Sequence, residues 1–268
     1  MENNIKPTVW IVGDSFSYID REDICHDTWH LLVPKLLDYD LLNDSLVGSS
    51  QDWAWRKIRD WQFEIKPQDQ LIVVLTHPSR FWFFEDMPDT SNHNTVDFDE
   101  IVNDKEKTLA AKYFIKHIQR PELDIQMTDH RMGWLSNLVY KNGWKKPIII
   151  QAFPQTLYTD LYPNLIFSNG NLFAINKKEE VGDIKDKNWD TRYNHMCLTN
   201  HAILAEKIVK TIVSNAELDL ITGFKEKIYS QELITNQENA KTELSTKQVE
   251  NYKNRKGPTE SWLTRFKS

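Results

Sequence analysis

The chain has 268 residues, of which 40% are hydrophobic and 27% charged. That composition supports one α/β domain with insertions and excludes a wholly disordered chain. The net charge of −6 excludes the broad basic surface that nucleic-acid binding needs, so we expect no nucleic-acid partner. Because no apolar run approaches the roughly 18 residues of a membrane span and no signal peptide is recognisable at the start, we expect no membrane partner and a cytoplasmic location.

Strand-like and helix-like segments alternate along most of the chain. Residues 8–13 form a short apolar run that ends at a glycine, which is typical of a buried strand. Apolar residues recur at helical spacing from Thr28 to Leu37 and from Gln51 to Ile65, on either side of a second strand at Leu41–Asn43. The same reasoning predicts strands at Leu71–Leu75 and after Pro147, and helices over Lys105–Ile118, Asp124–Tyr140 and Ala202–Ile212.

This alternation predicts a parallel sheet with helices on both faces, a fold that places its chemistry at the carboxyl ends of the strands. Ser15 follows the first strand, and a serine in a strand-to-helix turn can expose its hydroxyl and direct its N–H toward a developing oxyanion. Gly48 follows the second strand and lets the backbone approach a substrate closely. Before the last helix stand His195, which could accept the serine proton, and Asp190, which could hold the imidazole ring.

From Val9 to Ile212 the chain resembles the SGNH, or GDSL-type, hydrolases. The segment VWIVGDSFS is similar to the family's nucleophile block, which implies Ser15 as the nucleophile. Gly48 matches the glycine whose N–H, with that of the nucleophile, forms the oxyanion hole. The final block of the family resembles the segment HMCLTNHAILAEKI in residue spacing, which implies that His195 is the catalytic histidine. His201 is expected to be a structural residue. The resemblance implies a flavodoxin-like three-layer α/β/α sandwich and hydrolysis of acyl esters, such as O-acetyl groups on carbohydrates.

The third block of the family is altered in this chain. Where the family has Gly-x-Asn-Asp, whose asparagine donates to the oxyanion, this sequence has Thr76-His77-Pro78-Ser79-Arg80. Proline has no backbone N–H to donate. His77, Ser79 and Ser50 are therefore the candidate replacement donors.

The final block differs as well. The family's orienting aspartate lies three residues before the histidine, where this chain has Arg192. Asp190, two residues further back, takes the orienting role if the loop bulges.

Four residues are expected to contact the substrate. Phe81 and Trp82 belong to the run FWFF, and because four consecutive large apolar side chains cannot all face one core, some of them should line the mouth of the pocket. Asp14 and Ser50 adjoin the candidate nucleophile and oxyanion glycine. We expect the segments Phe81–Asp104 and Gln151–Asn171 to act as loops that control the choice of substrate.

We expect neither a metal nor an organic cofactor. Cys25, His26 and His30 carry metal-ligating groups, but no matching second cluster accompanies them. The few glycines form neither a phosphate loop nor a dinucleotide-binding motif.

The predicted organisation is an α/β domain over residues 1–215 and a polar, helical or partly disordered extension over residues 216–268. From residue 225 onward the extension holds nine basic and six acidic side chains. Whether it attaches the chain to a protein partner or to a second copy stays open. The composition is compatible with a bacterial or phage source, with virion association in the latter case. Three functions remain open: an acyl-ester hydrolase, an inactive binding or assembly module of the same fold, and an O-acyltransferase that uses the same residues.

Overall fold

The computed structural model describes residues 6–18, 28–78, 80, 109, 113, 116–118, 120–176, 196 and 198–225. Within them, five strands form one parallel sheet in the order β2-β1-β3-β4-β5. The strands are β1 (Thr8–Val12), β2 (Asp40–Asn43), β3 (Gln70–Leu75), β4 (Ile148–Gln151) and β5 (Ile166–Asn171). The helices, numbered over the described residues, are α1 (Trp29–Leu37), α2 (Gln51–Trp61), α3 (Pro121–Asn142), α4 (Leu172–Asn176) and α5 (Leu198–Ser214), with a 3-10 turn at Thr159–Leu161.

The sheet is covered on both faces, as its alternating side chains require. Val9 and Ile11 of β1 belong to the apolar cluster that includes the buried residues of α1 and α5. Trp10 and Val12, on the opposite face, belong to the cluster that includes α2 and α3. The predicted α/β fold is confirmed, and the arrangement is consistent with a flavodoxin-like three-layer sandwich.

The helix ends follow from local backbone chemistry. Pro121 occupies the first turn of α3, where its missing N–H costs no helical hydrogen bond. At the other end Gly143 takes the left-handed φ of 64°, and the N–H of Trp144 donates to the carbonyl of Val139 at 3.2 Å. The predicted helices at 28–37 and 124–140 are confirmed within a few residues. The second helix ends at Trp61, earlier than the predicted Ile65, and the predicted helix 105–118 lies largely outside the described residues.

One strand was missed. The segment Gln151–Asn171 was expected to be a loop, but its second part forms the edge strand β5. The signal is weak because three apolar residues are followed by the turn-like sequence Ser-Asn-Gly-Asn. The register against β4 shifts after Ile149, and Ser168 accepts a hydrogen bond from the N–H of Gln151 at 3.2 Å. Tertiary pairing therefore overrides the local sequence preference.

The first ten residues of the predicted extension pack on the α/β body. Leu218 and Leu220 are buried in the cluster shared by α1 and α5, and Leu218 forms a parallel bridge with Ser168. Asn200 accepts a hydrogen bond from the N–H of Lys225 at 2.8 Å. The division into 1–215 and 216–268 stays a prediction, and residues 226–268 lie outside the described residues. In the described part of the chain, no helix combines the length and hydropathy needed to cross a bilayer.

Candidate active site

The candidate site lies at the point where the strand order reverses. The chain passes from β1 to β2 on one side and then to β3 on the other side of β1. In open α/β sheets, ligands bind at such a point, outside the carboxyl ends of the strands. The residues that follow β1, β2 and β3 are those that the sequence motifs singled out.

Ser15 lies in a tight turn directly after β1. The N–H of Ser17 donates to the carbonyl of Asp14 at 3.1 Å, and the N–H of Phe16 donates to Oδ1 of Asp14 at 3.1 Å. This double contact is typical of aspartate in turns and fixes the backbone on both sides of Ser15. Ser15 itself is half-buried at the turn.

The glycine of the Gly-Asp-Ser sequence is required by packing. A Cβ at Gly13 would lie 2.6 Å from Cβ of Val74 and 2.8 Å from the carbonyl oxygen of the same residue in β3. No side chain fits at that distance without moving the backbone. Gly13 therefore lets the end of β1 lie directly against β3 and so places Ser15 at the edge of the sheet.

The loop after β2 is bonded to the same turn. Asn43 donates from Nδ2 to the carbonyl of Ser17 at 2.7 Å, and the Ser45 hydroxyl donates to the hydroxyl of Ser17 at 2.8 Å. The carbonyl of Gly13 accepts from the Ser49 hydroxyl at 3.0 Å. The nucleophile turn and the loop that carries Gly48 thus form one hydrogen-bonded unit.

Gly48 adopts a left-handed backbone conformation with φ of 73°, which glycine reaches without steric cost. Among the described residues, none accepts a hydrogen bond from its N–H. The role of this N–H as an oxyanion donor stays a prediction.

The carboxylate of Asp14 is wholly buried and pairs with an arginine. Its Oδ2 lies 3.3 Å from Nη1 of Arg80, whose side chain is 17% exposed. Burial raises the pKa of Asp14, whereas the positive charge of Arg80 and the N–H of Phe16 act to lower it. Burial also lowers the pKa of Arg80, and the negative charge of Asp14 opposes that shift. The structure places the carboxylate of Asp14 inside the protein, and the contact of Asp14 with substrate stays a prediction.

Sequence reasoning named Arg80 only as part of the altered third block and gave it no role. The available signal was a buried aspartate in the first motif, which needs a positive or N–H partner, and an arginine after β3. Nothing in either segment alone indicates that the two side chains meet.

Aromatic rings adjoin this ion pair. The guanidinium carbon of Arg80 lies 5.1 Å from the ring centre of Phe153, which follows β4. Phe16 meets Phe153 edge-on at 5.5 Å, and the His77 ring meets it at 6.4 Å. His77, a predicted donor, therefore lies half-buried beside the ion pair.

A buried amide network supports the segment after β3. Gln51 donates from Nε2 to the carbonyl of Thr76 at 2.9 Å and to Oε1 of Gln155 at 3.2 Å. Its Oε1 accepts from the Thr128 hydroxyl at 3.0 Å. Four separate segments are thereby joined next to His77. This role of Gln51 was not predicted from the sequence.

Ser50 is the N-cap of α2 and is buried. Its hydroxyl has no hydrogen-bond partner among the described residues. The structure thus places this predicted donor at the start of the helix that follows Gly48, and its contact with substrate stays a prediction.

The predicted base His195 and its partner Asp190 lie outside the described residues, but the next residue does not. Met196 is buried in the same apolar cluster as Phe16, the residue after Ser15. The described chain therefore resumes, directly after His195 in sequence, at a residue that shares its core cluster with Phe16.

A second set of contacts ties the last helix to this turn. His201 in α5 accepts a hydrogen bond at Nδ1 from the N–H of Trp29 at 3.3 Å. The indole N–H of Trp29 donates to the carbonyl of Phe16 at 3.0 Å. His201 thus contributes to the positioning of α1 and α5, as expected of a structural residue.

Several predicted residues lie outside the described part of the chain, and their roles stay predictions. They are Ser79, Phe81, Trp82, Arg192, Cys25 and His26. Within the described ranges, no group of three or more His, Cys, Asp or Glu side chains could hold a metal ion.

Fold and site together define a doubly wound, flavodoxin-like α/β protein with a serine-bearing turn at the switch point. No protein-family model and no curated protein sequence matches the chain. Among the solved structures that match it is the crystal structure of protein YxiM from Bacillus subtilis, with 15% sequence identity and a TM-score of 0.32. The match covers 61% of this chain and 37% of that one, so the chain spans well under half of the structure it resembles. At this level of similarity, the match says nothing about activity.

Proposed function

We propose that the chain is a serine hydrolase that cleaves acyl esters, with Ser15 as its nucleophile. The observation that carries the proposal is the position of Ser15 in the turn after β1, at the switch point of the sheet and bonded as one unit with the Gly48 loop. The fold offers its ligand site at this edge, and a hydroxyl held there with a nearby amide has the parts that acyl transfer needs.

In the proposed mechanism, the Ser15 hydroxyl attacks the ester carbonyl while His195 removes its proton. His195 then returns that proton to the leaving alcohol, and Asp190 holds the imidazole ring. The N–H groups of Ser15 and Gly48 bind the oxyanion of each tetrahedral intermediate. Water, activated by His195, releases the acyl group in the second half of the reaction. Support comes from the left-handed Gly48 amide and from buried Met196 next to His195.

The test combines covalent labelling with kinetics. We expect a fluorophosphonate probe to label the wild-type protein at Ser15, and the wild type to hydrolyse 4-nitrophenyl acetate. Ser15→Ala should abolish labelling and lower kcat by about 10³-fold or more, because the nucleophile is lost. His195→Ala should have an effect of similar size.

Ser214→Ala is the control, since its hydroxyl is exposed at the end of α5 and donates to the carbonyl of Lys210. This variant should still be labelled and active once circular dichroism shows that it is folded. Labelling that persists in Ser15→Ala would refute the assignment. A folded wild type that neither labels nor hydrolyses any ester would instead support the binding-module alternative. Transfer of acetyl groups to an added carbohydrate, detected by mass spectrometry, would identify an acyltransferase.

A further inference from the structure

Among the described residues, Arg80 uses only a small part of its hydrogen-bonding capacity. A guanidinium carries five N–H donors, and the side chain of Arg80 is 17% exposed. Its guanidinium makes one hydrogen bond to a described residue, from Nη1 to Oδ2 of Asp14 at 3.3 Å. That bond is longer than the 2.7–2.9 Å typical of strong charge-assisted pairs.

A largely buried cation with one long contact is poorly compensated. Charged groups withdrawn from water need close partners that satisfy their donors, and burial lowers the pKa of Arg80 despite the opposing effect of Asp14. The planar fork of arginine matches a carboxylate through two parallel hydrogen bonds. The contact with Asp14 is a single one and leaves the rest of the fork for another acceptor.

The position of Arg80 connects this capacity with the proposed active site. Arg80 bonds to the residue directly before Ser15 and stacks on Phe153. Phe153 also contacts Phe16, the residue directly after Ser15, at 5.5 Å. The guanidinium therefore lies beside the nucleophile turn.

We propose that Arg80 binds a carboxylate of the substrate, so that the esters cleaved at Ser15 carry an acidic group near the scissile bond. The inference rests on the proposed function and deepens it by naming the substrate class. A singly charged carboxylate fits the local balance, because Asp14 already neutralises part of the charge of Arg80. A phosphate dianion would add a second negative charge beside a buried carboxylate.

The test compares 3-acetoxybenzoate, which carries a free carboxylate, with its methyl ester, which has the same ring and acetyl group. We expect Arg80→Gln to lower kcat/KM for 3-acetoxybenzoate at least tenfold and to change kcat/KM for the methyl ester less than threefold. Arg80→Lys should recover part of the loss, because it keeps the charge without the planar fork. Thermal unfolding checks that both variants fold. Equal losses on the two esters would overturn the proposal and indicate a role in the turn or at the oxyanion.

A binding measurement separates this proposal from the proposed hydrolase activity. The probe is 3-hydroxybenzoate, which contains no ester, titrated into wild type and Arg80→Gln by calorimetry or NMR. We expect at least tenfold weaker binding to the variant and little binding of methyl 3-hydroxybenzoate to either protein. If no ester is hydrolysed but this difference holds, the hydrolase proposal fails and the carboxylate site stands. Equal or absent binding of 3-hydroxybenzoate to both proteins overturns the carboxylate site.

Discussion

Two buried aspartates stand at opposite ends of neighbouring strands, and they are satisfied in different ways. Asp69 precedes β3 and is 3% exposed; its carboxylate accepts from the N–H of Thr8 at 2.9 Å, the indole of Trp10 at 3.1 Å and the N–H of Lys66 at 2.9 Å. Asp14 follows β1 and accepts from one backbone N–H of a neighbouring residue and from a guanidinium at 3.3 Å.

This difference distinguishes the amino end of the strands, where Asp69 serves local structure, from the carboxyl end, where Asp14 adjoins the candidate active site. Neutral donors that belong to the fold hold the carboxylate of Asp69, so its charge serves local structure. The carboxylate of Asp14 is held by the N–H of Phe16 and by the charged guanidinium of Arg80, beside the turn that carries Ser15. The predictions below compare the two ends, beginning with the change that should cost most stability.

The largest effect is expected from Gly13→Ala at the carboxyl end. The new Cβ would meet both the side chain and the carbonyl of Val74 at less than 3 Å, so the free energy of unfolding should fall by about 3 kcal/mol. Gly133→Ala in α3 is the matched control. Its Cβ would meet Tyr162 at 3.6 Å, an ordinary contact, and a helical alanine should add about 0.5–1 kcal/mol. Urea unfolding of both variants measures the contrast, and equal stability of the two would contradict the packing argument.

The next effect is expected at the amino end. Asp69→Ala leaves three N–H donors without their acceptor, and the free energy of unfolding should fall by about 2–3 kcal/mol. Ester hydrolysis by the folded protein should stay within about twofold of wild type, because Asp69 lies at the far end of the strands from Ser15. Denaturant unfolding and kinetics on the same preparation test both statements. A loss of activity without a loss of stability would reverse the assignment of the two ends.

Asp14→Asn should show the opposite pattern, with little change in stability and a large loss of activity. Because burial raises the pKa of Asp14, the fold tolerates its charge less well than water does, and removal of the charge should change stability at pH 7 by less than about 1 kcal/mol. Hydrolysis of 3-acetoxybenzoate should fall at least tenfold, because Arg80 loses the charged partner that positions it.

The same variant has a defined pH dependence. A carboxyl group with a raised folded-state pKa contributes stability that is fully present below its ordinary pKa of 3.8 and is lost as the pH rises through the folded value. The stability of wild type relative to Asp14→Asn should therefore decrease as the pH rises above 3.8. Urea unfolding across this range tests the sign, and an increase with pH would show that Arg80 outweighs burial.

The smallest effect is expected at a carboxylate away from both ends. The Lys207 ammonium at 2.8 Å and the Thr222 hydroxyl hold the pKa of Asp219 well below its usual range. Such a group contributes stability above its ordinary pKa of 3.8 and loses it as the pH falls through the folded value. Because its side chain is 36% exposed, Asp219→Asn should cost less than about 0.5 kcal/mol at neutral pH. In thermal unfolding, the difference from wild type should shrink as the pH falls below 3.8; a difference that grows on acidification would disprove the pairing.

The fold was predictable where local pattern and tertiary environment agree. The run Leu71–Leu75 is apolar throughout because β3 is buried on both faces, so its strand could be recognised from composition alone. β5 could not, since Ile166–Asn171 pairs through a shifted register and carries a turn-like sequence. The site shows the same division, because Ser15 and Gly48 follow strand ends directly whereas Gln51 acts through segments distant along the chain.

The sequence by itself determined the order of strands and helices and the placement of Gly13, Asp14 and Ser15 after the first strand, because hydrophobic periodicity and glycine positions are local properties. Only the tertiary structure decided which group balances Asp14. Arg80 lies 66 positions away and meets Asp14 because β1 and β3 are adjacent and parallel, so that their carboxyl ends share one edge. A long-range charge pair of this kind depends on strand order, which single segments of sequence do not encode.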